Sequence, residues 1–211
     1  MQYIYLHGFA SSPNSAKARD IQSYLANLHV NIKIPDLNNG DFSHLTITRQ
    51  LKQVEKEFPR DSTPVTLIGS SLGGLTAAFL AENHISVQRL ILLAPAFGFL
   101  SHWTHALGEE KLQRWRQDQY IMVYHYGETR SLPLHYDFIT DAALYLEDKL
   151  RRPIPTLILH GINDEVIPIQ ASRDFAQQRH TVELVELNTD HAMYDVIDNI
   201  KEEISRFCRL Q

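Results

Sequence analysis

Short runs of Val, Ile and Leu recur along the chain, separated by stretches in which apolar residues fall at helical spacing. The runs 3–6, 32–34, 65–68, 90–93, 156–159 and 182–186 predict six strands. Most are nearly continuous in branched aliphatic residues, the pattern of strands covered on both faces. Between them, Ile21, Leu25 and Leu28 form one helical stripe, behind Ser12 as expected N-cap and Pro13 as first helical residue. Ile47, Leu51, Val54 and Phe58 form a second stripe, entered at Ser43. Val196, Ile200, Ile204 and Phe207 form a third, which His191 is expected to open. Alternation of this kind predicts an α/β protein with right-handed crossovers, a mostly parallel sheet, and helices on both faces.

One stretch breaks the rhythm. From Ala96 to Pro155 there is no buried-strand pattern, a gap far longer than an ordinary connection. It carries both tryptophans and four histidines. Residues 120–126 alternate well enough to pair with 131–134 as a hairpin turning near Gly127. Ala143, Leu146 and Leu150 suggest a helix capped by Thr140. A single domain over 1–211 with a lid or cap insertion at about 97–152 is therefore expected.

Composition narrows the partners. Twenty Lys and Arg stand against 25 Asp and Glu in 211 residues, a formal charge of −5 without a basic block. That argues against a nucleic-acid partner, which needs a Lys/Arg stripe to neutralise phosphates. The longest apolar run, 90–100, is interrupted by Pro95 and is far short of the ~20 residues that span a bilayer. The opening Met1-Gln2-Tyr3-Ile4-Tyr5-Leu6 lacks the features of an export leader, so no membrane span is expected. One cysteine, Cys208, excludes an internal disulfide framework and makes a cytoplasmic location the expectation. Oligomeric state is left open.

The sharpest chemical signal is Gly69-Ser70-Ser71-Leu72-Gly73-Gly74, between the strand 65–68 and the helix-forming 75–80. This is a G-x-S-x-G nucleophile elbow in its required context. Random placement of these glycines and serines yields about 0.02 such matches. A Cβ at position 69 or 73 would collide with its neighbours in so tight a turn, while Ser71 takes a strained conformation that exposes its Oγ. A serine hydroxyl is a weak nucleophile at neutral pH and demands a base with an orienting acid, in the order Ser, Asp/Glu, His. His191 follows the last strand by a short polar loop, at a sheet edge where ligand-facing groups gather. Asp164, after the strand 156–159, is the preferred acid; Glu165 is its neighbouring alternative, and Asp190 a weaker one. The backbone N–H of Leu72 and that of Phe9, in the loop after the first strand, are the expected oxyanion donors, with the Phe9 ring as a pocket wall.

The segments Tyr5-Leu6-His7-Gly8-Phe9, Ser11-Ser12-Pro13, Ser15, Lys17-Ala18 and 69–74 resemble the small bacterial esterases of the YqiA/YcfP-like family in the α/β-hydrolase superfamily. The likeness is close over 5–18 and 69–74, and looser at 164–166 and 188–192. It implies a Ser71/Asp164/His191 triad, a sheet of about six parallel strands, and activity on acyl esters or acyl-CoA thioesters. No metal or organic cofactor is implied, and the expected partner is a small-molecule acyl ester. A peptidase using the same triad and a non-catalytic binding protein on a hydrolase scaffold are the alternatives.

Other features have blander readings. Cys208 and His160 read as packing residues, Lys17 as a solvated helix lysine, and His102 with His105 as surface or lid histidines rather than metal ligands. Trp103, Leu107 and Trp115 fit one helical face and read as core.

Overall fold

The computed structural model describes residues 1–210. Six strands form one wholly parallel sheet: β1 (Gln2–Leu6), β2 (Ile32–Lys33), β3 (Val65–Ser70), β4 (Val87–Leu93), β7 (Thr156–Gly161) and β8 (Val182–Leu187). Their spatial order is β2-β1-β3-β4-β7-β8. The chain leaves β1 towards one edge and β3 towards the other, so a crevice opens at their carboxyl ends, the place where ligands bind in open α/β sheets.

Side-chain alternation divides the sheet between two cores. Ile4, Leu6, Leu67, Leu90, Leu92 and Ile158 face one cluster; Tyr3, Tyr5, Ile68, Ile91, Leu93, Leu157 and Leu159 face the other. The second cluster is closed by Ile21 and Leu25 of α1 (Ala16–Asn27) and by Ile200, Ile204 and Cys208 of α8 (Ile197–Cys208). The first is closed by α2 (Ile47–Glu55), α3 (Leu72–Asn83) and α7 (Ile169–Gln177). Each fully buried Leu or Ile contributes roughly 1.5–3 kcal/mol, which is why near-continuous aliphatic strands end in the middle layer. From Leu72 to Ala81 every residue of α3 is buried, and its glycines and alanines let it lie against both β3 and the layer above.

Two helix starts differ from expectation. Ser15, not Ser12, caps α1 by accepting the Ala18 N–H at 3.4 Å, because Ser12 is used earlier, accepting the Asn14 N–H at 3.2 Å. Thr46, not Ser43, caps α2 through the Arg49 N–H at 3.1 Å, since Ser43 lies in a separate 3-10 turn bonded to Asp41.

The segment between β4 and β7 carries secondary structure of its own. It holds α4 (Phe99–Leu107), α5 (Glu109–Asp118), a hairpin of β5 (Tyr120–His125) with β6 (Arg130–His135), and α6 (Asp137–Ala142). The expected helix capped by Thr140 is not formed. Thr140 instead lies inside α6, bonded to the Asp137 carbonyl at 3.1 Å, and Leu144 and Leu146 are exposed. The expected single tryptophan face is divided at Gly108, whose φ of 75° ends one helix and begins the next. The folded-back helices still bring Trp103 edge-on to Trp115, 5.4 Å between ring centres. Trp115 is buried and donates to the Leu134 carbonyl at 2.9 Å, satisfying its N–H inside the core.

Candidate active site

Ser71 stands between β3 and α3 with φ 53° and ψ −119°, a conformation costly for any residue bearing a Cβ. Four backbone hydrogen bonds hold it there. Its N–H donates to Leu93 at 2.9 Å, and its carbonyl accepts from Gly74 (2.9 Å), Leu75 (3.2 Å) and Ala96 (3.1 Å). The flanking glycines are obligatory. A Cβ on Gly73 would fall against the Leu6 and His7 carbonyls, and one on Gly69 against the Gly73 backbone.

A continuous hydrogen-bonded chain leads away from this serine. His191 Nε2 lies 3.1 Å from Ser71 Oγ, and His191 Nδ1 lies 2.7 Å from Asp164 Oδ2. The other carboxylate oxygen, Oδ1, accepts the backbone N–H groups of Val166 and Ile167, both at 2.8 Å. Burial works to raise the Asp164 carboxyl, but hydrogen bonds from His160, His191 and Ile167 outweigh it and hold the group well below the usual carboxylate range. Asp164 is therefore ionised at neutral pH. Glu165 and Asp190 take no part in this chain; Asp190 instead accepts the Ala192 and Met193 N–H groups at 2.9 and 3.1 Å.

His191 does not open the last helix. It sits in a turn, six residues before Ile197, in which Met193 takes φ 57°. Sequence reasoning also passed over Gly161, at the end of β7. A Cβ there would meet the Thr189 and Asp190 carbonyls, so the missing side chain lets the histidine loop lie against the aspartate strand.

His160 is a second residue read too blandly. Wholly buried, it places Nε2 at 3.1 Å from Asp164 Oδ2 and 3.0 Å from the Ile167 carbonyl, with Nδ1 2.7 Å from Ser172 Oγ. An Nε2 proton shared between two oxygens fixes the tautomer, leaving Nδ1 to accept from Ser172. The sequence puts His160 four residues before Asp164, but only the turn after β7 brings the two side chains together.

The loop after β1 lies directly beside the serine: a Cβ on Gly8 would be 3.4 Å from Ser71 Cβ. His7 anchors this loop, its buried Nε2 accepting the Leu37 N–H at 2.9 Å while Nδ1 faces the Gly8 carbonyl at 2.9 Å. Leu72 begins α3, whose first-turn N–H groups have no partner within the helix. The Phe9 ring packs against Phe42 (5.5 Å), Trp103 (5.5 Å) and Phe138 (5.3 Å), joining the β1 loop to the segment 97–152 through an aromatic wall. Among the described residues no group of three His, Cys, Asp or Glu side chains is placed to hold a metal ion. Among them, too, no helix is long and apolar enough to cross a membrane.

Comparison with known proteins places this geometry in context. The mouse mitochondrial palmitoyl-protein thioesterase ABHD10 is 24% identical over 186 residues, covering 83% of this chain and 62% of its own length. The bovine counterpart is 23% identical over 92% of this chain and 68% of its own, so the chain spans roughly two thirds of these relatives. Mouse α/β-hydrolase domain-containing protein 10 superposes with a TM-score of 0.82 at 23% identity, covering 99% of this chain and 89% of the other. Est1E of Butyrivibrio proteoclasticus with ferulic acid bound superposes at 0.79 and 20% identity, again over 99% and 89%. These likenesses establish the α/β-hydrolase fold. Residues 2–208 match the uncharacterised protein family UPF0227, and the chain belongs to that family.

Proposed function

We propose that this protein is a serine carboxylesterase in which Ser71 is the nucleophile, His191 the general base and acid, and Asp164 the orienting carboxylate. The observation that carries the reading is the unbroken Ser71–His191–Asp164 hydrogen-bond chain issuing from a strained elbow. Ser71 Oγ attacks the acyl carbonyl carbon as His191 Nε2 takes its proton. The Asp164 carboxylate stabilises the resulting imidazolium and keeps Nδ1 protonated. The backbone N–H groups of Leu72 and Phe9 hold the oxyanion, which is where most of the barrier reduction arises. Collapse expels the alcohol, protonated by His191, and leaves an acyl group on Ser71. Water, deprotonated by the same histidine, then releases the acid and restores the serine.

In this reading the segment 97–152 is a cap, and the aromatic wall of Phe9, Trp103 and Phe138 bounds the acyl pocket. A thioesterase reading is favoured by the name of the mammalian relatives, and the same machinery serves it with a thiolate as leaving group. A fluorophosphonate probe with p-nitrophenyl esters and acyl-CoAs of graded length tests both. Labelling and turnover that vanish in Ser71→Ala are expected, and the ratio of the two substrate classes separates esterase from thioesterase. A wild type that neither labels nor turns over any of these would refute the reading.

A further inference from the structure

The loop between β1 and α1 carries Phe9, and the core grips it at several points. His7 Nε2 accepts the Leu37 N–H, so the ring proton sits on Nδ1 and is donated to the Gly8 carbonyl. The Gly8–Phe9 peptide is trans, so this bond turns the Phe9 N–H the opposite way, away from His7. Farther along, Asn38 Nδ2 donates to the Ser11 carbonyl at 2.8 Å. Lys17 is buried at 7% exposure instead of solvated. Its Nζ donates to Ser70 Oγ at 3.3 Å, tying the start of α1 to the strand before the nucleophile.

Between these points the chain is held by the segment 97–152. Ala10, buried and directly after Phe9, takes φ 52°, a left-handed conformation that a residue with a Cβ keeps only where its surroundings enforce it. Its carbonyl accepts the backbone N–H of Tyr126 at 2.8 Å, from the tip of the β5–β6 hairpin. The same tip presents Gly127 to Ser12 so closely that a Cβ on the glycine would lie 2.8 Å from Ser12 Cβ. His125, 2% exposed, closes the turn with Nδ1 accepting the Glu128 N–H at 3.1 Å. Its Nε2 has no hydrogen-bond partner among the described residues, and the ring stands edge-on to Phe42, 4.8 Å between centres. Burying an imidazole N–H unpaired opposes folding, a cost that a hairpin standing free in water would avoid.

We propose that the β5–β6 hairpin is a positioning element of the oxyanion hole: through the Tyr126 N–H and Gly127 it holds Ala10 in its strained conformation and so fixes the direction of the Phe9 N–H. This rests on the reading of Ser71 as nucleophile and Phe9 as oxyanion donor. It gives the segment 97–152 a part in the chemical step, beyond bounding the acyl pocket. An oxyanion donor works only when preorganised where charge develops, so a small shift of the loop costs kcat and leaves ground-state binding alone.

The test is steady-state hydrolysis of p-nitrophenyl acetate and p-nitrophenyl octanoate by Gly127→Ala, in the wild-type and Ser12→Gly backgrounds, and by Tyr126→Pro. The added Cβ pushes the tip off the loop, Ser12→Gly removes the atom it strikes, and proline removes the N–H. Gly127→Ala and Tyr126→Pro are expected to lower kcat about 10- to 100-fold for both esters with KM little changed, short of the ~10²–10³ that a deleted donor costs. In the Ser12→Gly background the loss from Gly127→Ala should shrink severalfold. A loss carried by KM and growing with acyl length, an unchanged kcat in both variants, or an equal loss in both backgrounds overturns the proposal. Amide hydrogen exchange at Tyr126 and Phe9 reads the loop without turnover, and should quicken in Gly127→Ala. If the wild type hydrolyses neither ester, the esterase reading falls and exchange alone decides: equal protection in wild type and Gly127→Ala overturns the hairpin's hold on the loop.

Discussion

His160 Nε2 approaches the same carboxylate oxygen of Asp164, Oδ2, that His191 holds from the other side, at 3.1 Å. The acid of the proposed triad is thus gripped between two imidazoles, one buried and one facing Ser71. Removing the buried one leaves Asp164 with His191 and two backbone N–H groups, enough to keep it ionised but with one fewer hydrogen bond fixing Oδ2. His160→Gln is expected to lower kcat roughly 10- to 100-fold with little change in KM, on the scale of lost supporting hydrogen bonds. Asp164→Asn should cost more, about 10⁴ by the precedent of other triads, because the tautomer of His191 is then wrong. Steady-state kinetics on one p-nitrophenyl ester distinguishes the two; wild-type kcat in His160→Gln would show that the buried imidazole only packs.

Ser71→Ala and His191→Ala should each reduce turnover on a similar scale, with about 10⁶ as the upper precedent. The two losses should not multiply in the double variant, since both residues act in one step. Additive losses would contradict the shared hydrogen-bond chain.

Gly161 carries a prediction about geometry rather than chemistry. Gly161→Ala forces its Cβ onto the Thr189 and Asp190 carbonyls, displacing the loop that presents His191. We expect a loss of about 1–3 kcal/mol in stability, as for other overpacked sites, and a fall in kcat that persists at temperatures where the variant is fully folded. Denaturant titration and kinetics at low temperature separate the two effects.

Lys17 should be a residue whose removal stabilises the protein. Its folded pKa, about 8, lies below the ordinary 10.5, so between those values the unfolded chain binds more protons and stability rises with pH. Below pH 8 the full penalty of the buried charge applies. Lys17→Met is expected to raise the melting temperature at pH 7 by relieving up to about 3 kcal/mol, less ~1 kcal/mol for the lost Ser70 hydrogen bond. The gain should shrink as pH is raised from 8 towards 10. A lower melting temperature at neutral pH would mark Lys17 as structural. Asp164 works in the opposite sense: its depressed carboxyl adds stability that is complete above the unfolded carboxylate range and is lost as acid protonates it. Asp164→Asn should accordingly flatten the acid side of the stability curve.

The hydrophobic pattern alone determined the layered architecture, because strands covered on both faces bury most of their side chains, and β1, β3, β4 and β7 are mostly apolar. The elbow motif and the loops at the strand ends supplied Ser71, Asp164 and His191 as the candidate site, since a tight elbow needs its glycines and strand ends deliver loops to one edge. Helix starts were misplaced where two serines or threonines compete for capping, a contest decided by which loop turns first. What only the tertiary structure decided are the relations between distant segments. His160 beside Asp164 depends on a turn, Gly161 beside Thr189 on the meeting of two loops, and Lys17 beneath Ser70 on how α1 packs under the sheet. A lysine at a helix start looks solvated in sequence, because burial is a property of what the rest of the chain places around it.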